Sequence, residues 1–271
     1  MSIWCAAQAA SSTRAGQMTR PAACTPTRAV RGPSAPVRWG HSGSRIWNGA
    51  TDKSAALHRE AALKKLTKAQ KETLCAEWAE KNLPRLSLAT RADAAEILDI
   101  YNWYVLHHTA TFQVTPSSLP EYEDWVESTR ALIPLLLARD GDGKLLGYAC
   151  AHRYHPREAY DWAVESTIYC APDARGFGVG DTLYRALLDI LDGMGYWNVY
   201  ALVADPNPAS ERIHARLGFT CVGREPHTAY KFGWLGLSTW WLPLRRGNEK
   251  PEPTHPLTQE QVEEILGRYQ A

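Results

Sequence analysis

No apolar run in these 271 residues approaches the 18 or so needed to cross a bilayer, so no membrane-spanning segment is expected. A large excess of charge of one sign is missing too: 30 Lys and Arg stand against 29 Asp and Glu, a formal net charge of +1, which removes any general attraction to nucleic acid. The six cysteines (Cys5, Cys24, Cys75, Cys150, Cys170, Cys221) contain no Cys-x-x-Cys pair. Neither a disulfide scaffold nor a metal site is expected, and reduced thiols in an intracellular, reducing compartment are the default. Acid is absent from Met1 to Thr51, where six arginines stand among Ser, Thr, Ala and Pro. Such a stretch buries too little apolar surface to offset chain entropy, so residues 1–51 are expected to be a disordered leader.

Arg-rich, Ser-rich and acid-free, the leader reads as an organelle transit peptide for a mitochondrion or plastid. The alternative is a true start at Met18 or later and a cytoplasmic protein. Residues 52–82 are rich in Ala, Leu, Lys and Glu, with Leu57, Ala61, Leu74 and Trp78 at roughly helical spacing. They predict an amphipathic helix or linker. A catalytic domain over 83–246 and a tail with a short helix over 247–271 complete the expected organisation.

Within 83–246 the pattern predicts a strand at Arg85–Ala89, a helix from a Thr90/Asp93 capping box to about His107, and a helix at Leu119–Arg130. Strands follow at Leu132–Ala138 and Leu145–Tyr154, joined by an Asp140–Gly143 turn, and at Tyr160–Ala171. The clearest helical period runs over Asp181–Met194, with Leu183, Ala186, Leu187, Ile190, Leu191 and Met194 on one face. Val199–Val203, a helix at Pro208–Leu217, Phe219–Gly223 and Ser238–Leu244 close the domain. This order predicts an α/β (α+β type) fold with a mixed sheet.

The most informative stretch is Arg175-Gly176-Phe177-Gly178-Val179-Gly180, between a strand and a helix. Glycines there let backbone N–H groups crowd around an anion, and the helix N-terminus adds unpaired donors and a partial positive charge. The site suits a pyrophosphate. A dinucleotide fingerprint fits poorly, because the spacing is Gly-x-Gly-x-Gly and the motif follows the fourth strand. A P-loop would need Gly-Lys-Ser/Thr, which is absent.

Arg175-x-x-Gly178-x-Gly180, together with the run from Asn207 through Ser210 and His214 to Gly218-Phe219, resembles the GNAT superfamily of acyl-CoA N-acyltransferases. Tyr160–Tyr169, Thr109–Phe112 and Tyr230–Gly233 narrow the likeness to its phosphinothricin / methionine-sulfone N-acetyltransferase branch, over about Leu86 to Leu244. The resemblance implies helices on both faces of the sheet and a β-bulge in the strand before a coenzyme A pyrophosphate loop. It implies acetyl-CoA as co-substrate, a small-molecule amine as acceptor, and a homodimer. Alternatives are a protein or peptide N-acetyltransferase of the same fold and a non-catalytic CoA-binding module.

In an extended strand Glu165, Thr167 and Tyr169 share one face. No cation stands near Glu165 in sequence, and partial burial would raise its pKa toward that of a useful base. The resemblance gives Glu165 that role and His214 the part of acid toward the departing thiolate. By the same likeness Ile168, Tyr169, Cys170, Arg175, Gly176, Phe177, Gly178, Val179, Gly180, Asn207 and Ser210 hold the cofactor, main-chain amides around 168–170 among them. Phe112, Arg157, Tyr160, Thr167 and Tyr169 line the acceptor pocket. The later loop, with Trp234 and Leu237, is more apolar than in relatives, which suggests a more hydrophobic amine or a dimer contact through Trp240 and Trp241.

Overall fold

The computed structural model describes residues 84–174 and 178–269, with short pieces at 37–38, 45–46, 62, 65–70 and 73. The expected leader and the helix over 52–82 fall almost wholly outside the described residues, as do Arg175, Gly176 and Phe177. Seven strands form the main sheet: β1 (Arg85–Leu88), β2 (Leu136–Arg139), β3 (Leu145–Arg153), β4 (Ala163–Cys170), β5 (Asn198–Asp205), β6 (Thr220–Tyr230) and β7 (Trp234–Pro243). Their order is β1-β2-β3-β4-β5-β7-β6. Only β4 and β5 run parallel; every other neighbouring pair is antiparallel. The mixed sheet expected from the order of elements is what the chain forms.

Helices α1 (Ala94–His107) and α2 (Leu119–Arg130) cover one face. Both start where expected: Thr90 N–H donates to the Asp93 carboxylate at 2.8 Å, and Ser118 N–H to that of Glu121 at 2.9 Å. On the other face lie α3 (Val179–Gly193) and α4 (Pro208–Arg216). The apolar stripe of α3 explains its place, since Leu183, Ala186, Leu187, Ile190 and Leu191 are all 0% exposed. Helix α5 (Gln259–Gly267) buries Val262, Ile265 and Leu266 in the same core, and Tyr269 donates to Asp189 of α3 at 2.7 Å. Among the described residues no helix is long and apolar enough to cross a membrane.

The last two strands are longer than their sequence suggests. β6 and β7 form a long hairpin that turns at Lys231–Gly233, so the apolar segment Trp234–Leu237 is strand and not loop. The bulge expected in β4 is also absent. The β3–β4 ladder runs unshifted from Arg153↔Val164 to Gly147↔Cys170, and the irregularity sits in the β2–β3 ladder at Ala138/Arg139. The sheet opens by divergence instead. β4 pairs with β5 only at Ala163↔Asn198, Val164↔Val199 and Glu165↔Tyr200. Beyond that point β4 stays with β3, while β5 follows β7 as far as Asp205↔Gly236. Ser166 Oγ donates to Tyr200 O at 3.0 Å at the fork, so a side chain satisfies that carbonyl where the ladder ends.

Candidate active site

The fork holds a cavity of about 280 Å³ between β4 and β5. Glu165 to Tyr169 line one side, Ala201 to Ala204 the other, with Asn207, Ser210 and His214 of α4, Leu237 of β7, and Ala110 and Phe112 closing it. It runs on into a groove of about 350 Å³ lined by Cys170, Gly178 to Asp181, and Ala209, Arg212, Ile213 and Arg216 of α4. Ala110, Ile168, Tyr169, Asn207 and Ser210 border both.

Two glycines make the groove, for different reasons. Gly178 is the N-cap of α3 at φ 86°, a left-handed conformation that costs other residues energy, and nothing stands within 4 Å of a Cβ built there. Gly180 is a matter of contact: a Cβ would meet Ile213 Cδ1 at 3.3 Å and Cys170 Sγ at 3.4 Å. Thr182 N–H makes the first bond back to Gly178 O at 3.0 Å, so the amides of Val179, Gly180 and Asp181 lie in the unpaired first turn. Asp181 would repel an anion there, yet Arg185 (2.8 Å) and Arg216 (2.9 Å) hold its carboxylate. Burial pushes that carboxyl up, but the two guanidiniums outweigh it and leave it below its ordinary value. Arg212 and Arg216 add cationic charge to the wall. These residues fit a diphosphate.

The exposed side of β4 supplies main-chain donors. Ala171 N–H donates to Leu146 O on the β3 side at 2.8 Å. Strand amides alternate in direction, so Ile168 N–H points to the β5 side, where β4 has no ladder partner. The Cys170 carbonyl accepts from Tyr104 OH at 2.7 Å.

Glu165 stands at the fork with its side chain 22% exposed, 3.5 Å from His152 Nε2 on β3. The two oppose each other in register, so a cation partner does exist when the imidazole is protonated, contrary to the reading along the chain. Cys150 sits below, and burial, with the Glu165 charge adding to it, pushes its thiol up to about 12. It therefore remains a thiol and no nucleophile. Tyr200, beside Glu165, stacks on Tyr154 with ring centres 4.1 Å apart, and Tyr160 touches Tyr154 in turn at 6.1 Å.

His214 is held by hydrogen bonds at both ring nitrogens. It is 3% exposed, with Nδ1 at 2.7 Å from Ser210 O and Nε2 at 3.0 Å from Tyr184 OH. Burial lowers its pKa. Tyr169 packs among Tyr101, Tyr104 and Tyr148. Lys231, at the tip of the last hairpin, is buried and donates to Tyr104 O (3.2 Å) and Thr111 O (2.9 Å), which fixes the segment carrying Phe112.

Cavity and groove together gather Phe112, Glu165, Thr167, Ile168, Tyr169, Cys170, Gly178, Val179, Gly180, Asn207, Ser210 and His214 of the predicted set. Arg157 and Tyr160 line neither, because the β3–β4 connection carries them out to solvent around a short helical turn at Glu158–Tyr160. Trp240 is no dimer contact: it is 7% exposed and donates to Ser238 Oγ, while Trp241 donates to Asn198 Oδ1. Sequence reasoning missed His152, Tyr154, Tyr184, Tyr200, Arg212 and Arg216. Only the arginines left a signal, four residues apart on a helix that also carries Asn207 and Ser210.

Residues 97–219 match the acetyltransferase (GNAT) family. The chain is 36% identical over 170 residues to the phosphinothricin N-acetyltransferase of Streptomyces viridochromogenes, covering 62% of this chain and 90% of that protein. It is 37% identical over 155 residues to an L-methionine sulfoximine/L-methionine sulfone acetyltransferase of Pseudomonas paraeruginosa, covering 56% and 90%. Among solved structures, it resembles a GNAT superfamily phosphinothricin acetyltransferase from Sinorhizobium meliloti in complex with AcCoA. That likeness has a TM-score of 0.61 and 33% identity, over 63% of this chain and 94% of the other.

Proposed function

The chain belongs to the acetyltransferase (GNAT) family, and on that premise we propose that it moves an acetyl group from acetyl-CoA to the amine of a small amino acid or analogue of the phosphinothricin or methionine sulfone/sulfoximine type. One observation carries the proposal. Two adjoining cavities, which share Ala110, Ile168, Tyr169, Asn207 and Ser210 as walls, link a carboxylate at the fork of β4 and β5 to the N-terminus of α3.

Acetyl-CoA supplies the thioester. The first-turn amides of α3, with Arg212 and Arg216, take its diphosphate, and the unpaired edge of β4 takes the arm that leads to the fork. Glu165 removes a proton from the acceptor amine, directly or through water. Ile168 N–H donates to the oxygen that gains charge as the carbonyl is attacked. His214 manages the proton needed by the departing sulfur. The acceptor side chain lies toward Phe112, Thr167 and Leu237, with the Tyr154–Tyr200 stack at the outer edge. Arg157 reaches an acceptor carboxylate only if its loop folds inward. Assembly as a homodimer belongs to the same proposal, with exposed Tyr230, Phe232 and Trp234 at the hairpin tip as contact surface.

Thiol release measured against free amino acids, methionine sulfone, phosphinothricin and a short peptide tests the reading. Turnover with a free amino acid or its sulfone or phosphinate analogue is expected. Turnover with the peptide alone would replace the acceptor assignment. Acetyl-CoA binding without turnover of any amine would leave only a binding module.

A further inference from the structure

A chain of hydrogen bonds between buried groups runs along the cavity wall, which Ser166 and His214 help to form. Tyr200 O accepts from Ser166 Oγ at 3.0 Å; Ser166 Oγ lies 2.5 Å from Tyr184 OH; Tyr184 OH lies 3.0 Å from His214 Nε2; and His214 Nδ1 lies 2.7 Å from Ser210 O. Ser166, Tyr184 and His214 are 6%, 0% and 3% exposed, and their partners are one another, two carbonyls and Ser210 Oγ, which lies 3.3 Å from Nδ1, farther than the carbonyl.

The two carbonyl ends fix the logic. A carbonyl only accepts, so Nδ1 carries a proton and donates to Ser210 O. In the neutral ring Nε2 is then an acceptor, and Tyr184 must give it its one proton. Ser166 has one proton for two neighbours, Tyr184 Oη and Tyr200 O. A proton placed on Nε2 reverses the order. Nε2–H now donates to Tyr184, Tyr184 donates to Ser166, and Ser166 donates to Tyr200 O. The proton comes from hydronium on acidification, so one O–H bond breaks as the N–H bond forms; no other covalent bond changes, and with Ser166 already donating to Tyr200 O only the Tyr184 hydroxyl rotates. Every donor in the charged arrangement has an acceptor, so the buried ring gains a charge without stranding a polar hydrogen.

We propose that Ser166 and Tyr184 are positioning residues that let His214 take up and release a proton within a closed wall. This rests on the reading that His214 manages the proton of the departing thiolate. Tyr184 comes from α3, Ser166 from β4, Trp240 from β7, and Phe219 and Ser210 flank the ring near α4. The carboxylate acting on this cluster is Glu165, which is felt at Tyr184. Burial keeps Tyr184 protonated, so it serves as a link and not as a base.

The test is a nitrogen-15 NMR titration of His214 in the ligand-free full chain, with His214→Asn to assign the signal. The wild-type ring should be the Nδ1–H tautomer at high pH and become imidazolium on acidification. Ser166→Ala leaves the Tyr184 proton without an acceptor in the charged arrangement. Its midpoint should fall by about one to two pH units, and Ser166→Thr should restore it. Tyr184→Phe removes the acceptor of Nε2–H and should lower the midpoint likewise, which covers a Ser166→Ala protein that does not fold. An unchanged midpoint in the alanine or phenylalanine variant, an Nε2–H tautomer in the wild type, or a ring that stays neutral until the protein unfolds would each overturn the proposal. A lowered midpoint with unchanged kcat for thiol release would keep the relay and remove His214 from the reaction.

Discussion

The first three residues of β4 and the five that follow lie in one strand and have opposite fates. Ala163, Val164 and Glu165 are paired on both sides, and Val164 is fully buried against Val199. Ser166 to Cys170 keep only the β3 partner, and the cavity and groove lie along their free edge. The closed half holds the sheet together. The open half presents Ile168 N–H to the cavity, on the side where β4 has no ladder partner among the described residues. Glu165 stands at the boundary, fixed by the closed half and reachable from the open one.

Changes at the boundary should cost the most activity. Glu165→Gln should lower kcat by roughly 100-fold or more with the KM for acetyl-CoA nearly unchanged; an unaltered kcat would take the carboxylate out of the mechanism. In the open half, Gly178→Val forces a β-branched residue into the left-handed region and moves the first-turn amides of α3. Calorimetry should then find acetyl-CoA affinity weakened by on the order of tenfold or more through loss of diphosphate contacts. Wild-type affinity would mean that this helix terminus is not the anion site.

The closed half should answer in stability alone. Val199→Ala should lower unfolding free energy by about 1–3 kcal/mol in urea melts and leave kcat within a factor of two or so. A large loss of kcat without loss of stability would erase the distinction between the halves. The smallest effect lies in pH. His214 has a folded pKa below 6.5, so the unfolded chain binds the extra proton first as pH falls. Stability should therefore drop below about pH 6.5, by up to about 1.4 kcal/mol per unit, until the folded ring titrates as well. His214→Asn should flatten that part of the curve, and an identical slope in both proteins would contradict the shift.

The parts legible in sequence are those with one repeating environment. The stripe of α3, its glycine entry and the Thr90/Asp93 capping box ahead of α1 depend on neighbours within a turn. The β6–β7 hairpin escaped notice because β6 is an edge strand exposed along most of its length, so it has no two-residue alternation to read. Gly223, Pro226 and Gly236 look like breaks, yet register shifts at Cys221/Gly223 and Glu225/Ala229 absorb the irregular stretches of β6. His152 meets Glu165, and Tyr184 meets His214, only through pairing across the sheet or packing between layers. No spacing along the chain encodes either. The role of Gly178 was visible but its cause was not: it is required for its backbone angle, while Gly180 supplies the close approach.

Following backbone amide signals while acetyl-CoA is added tests the account most directly. Shifts should concentrate at Ile168 and at Val179 to Asp181, with Val164 and Val199 nearly unmoved. Saturating acetyl-CoA that leaves those four amides in place, or that moves the closed half instead, would contradict it.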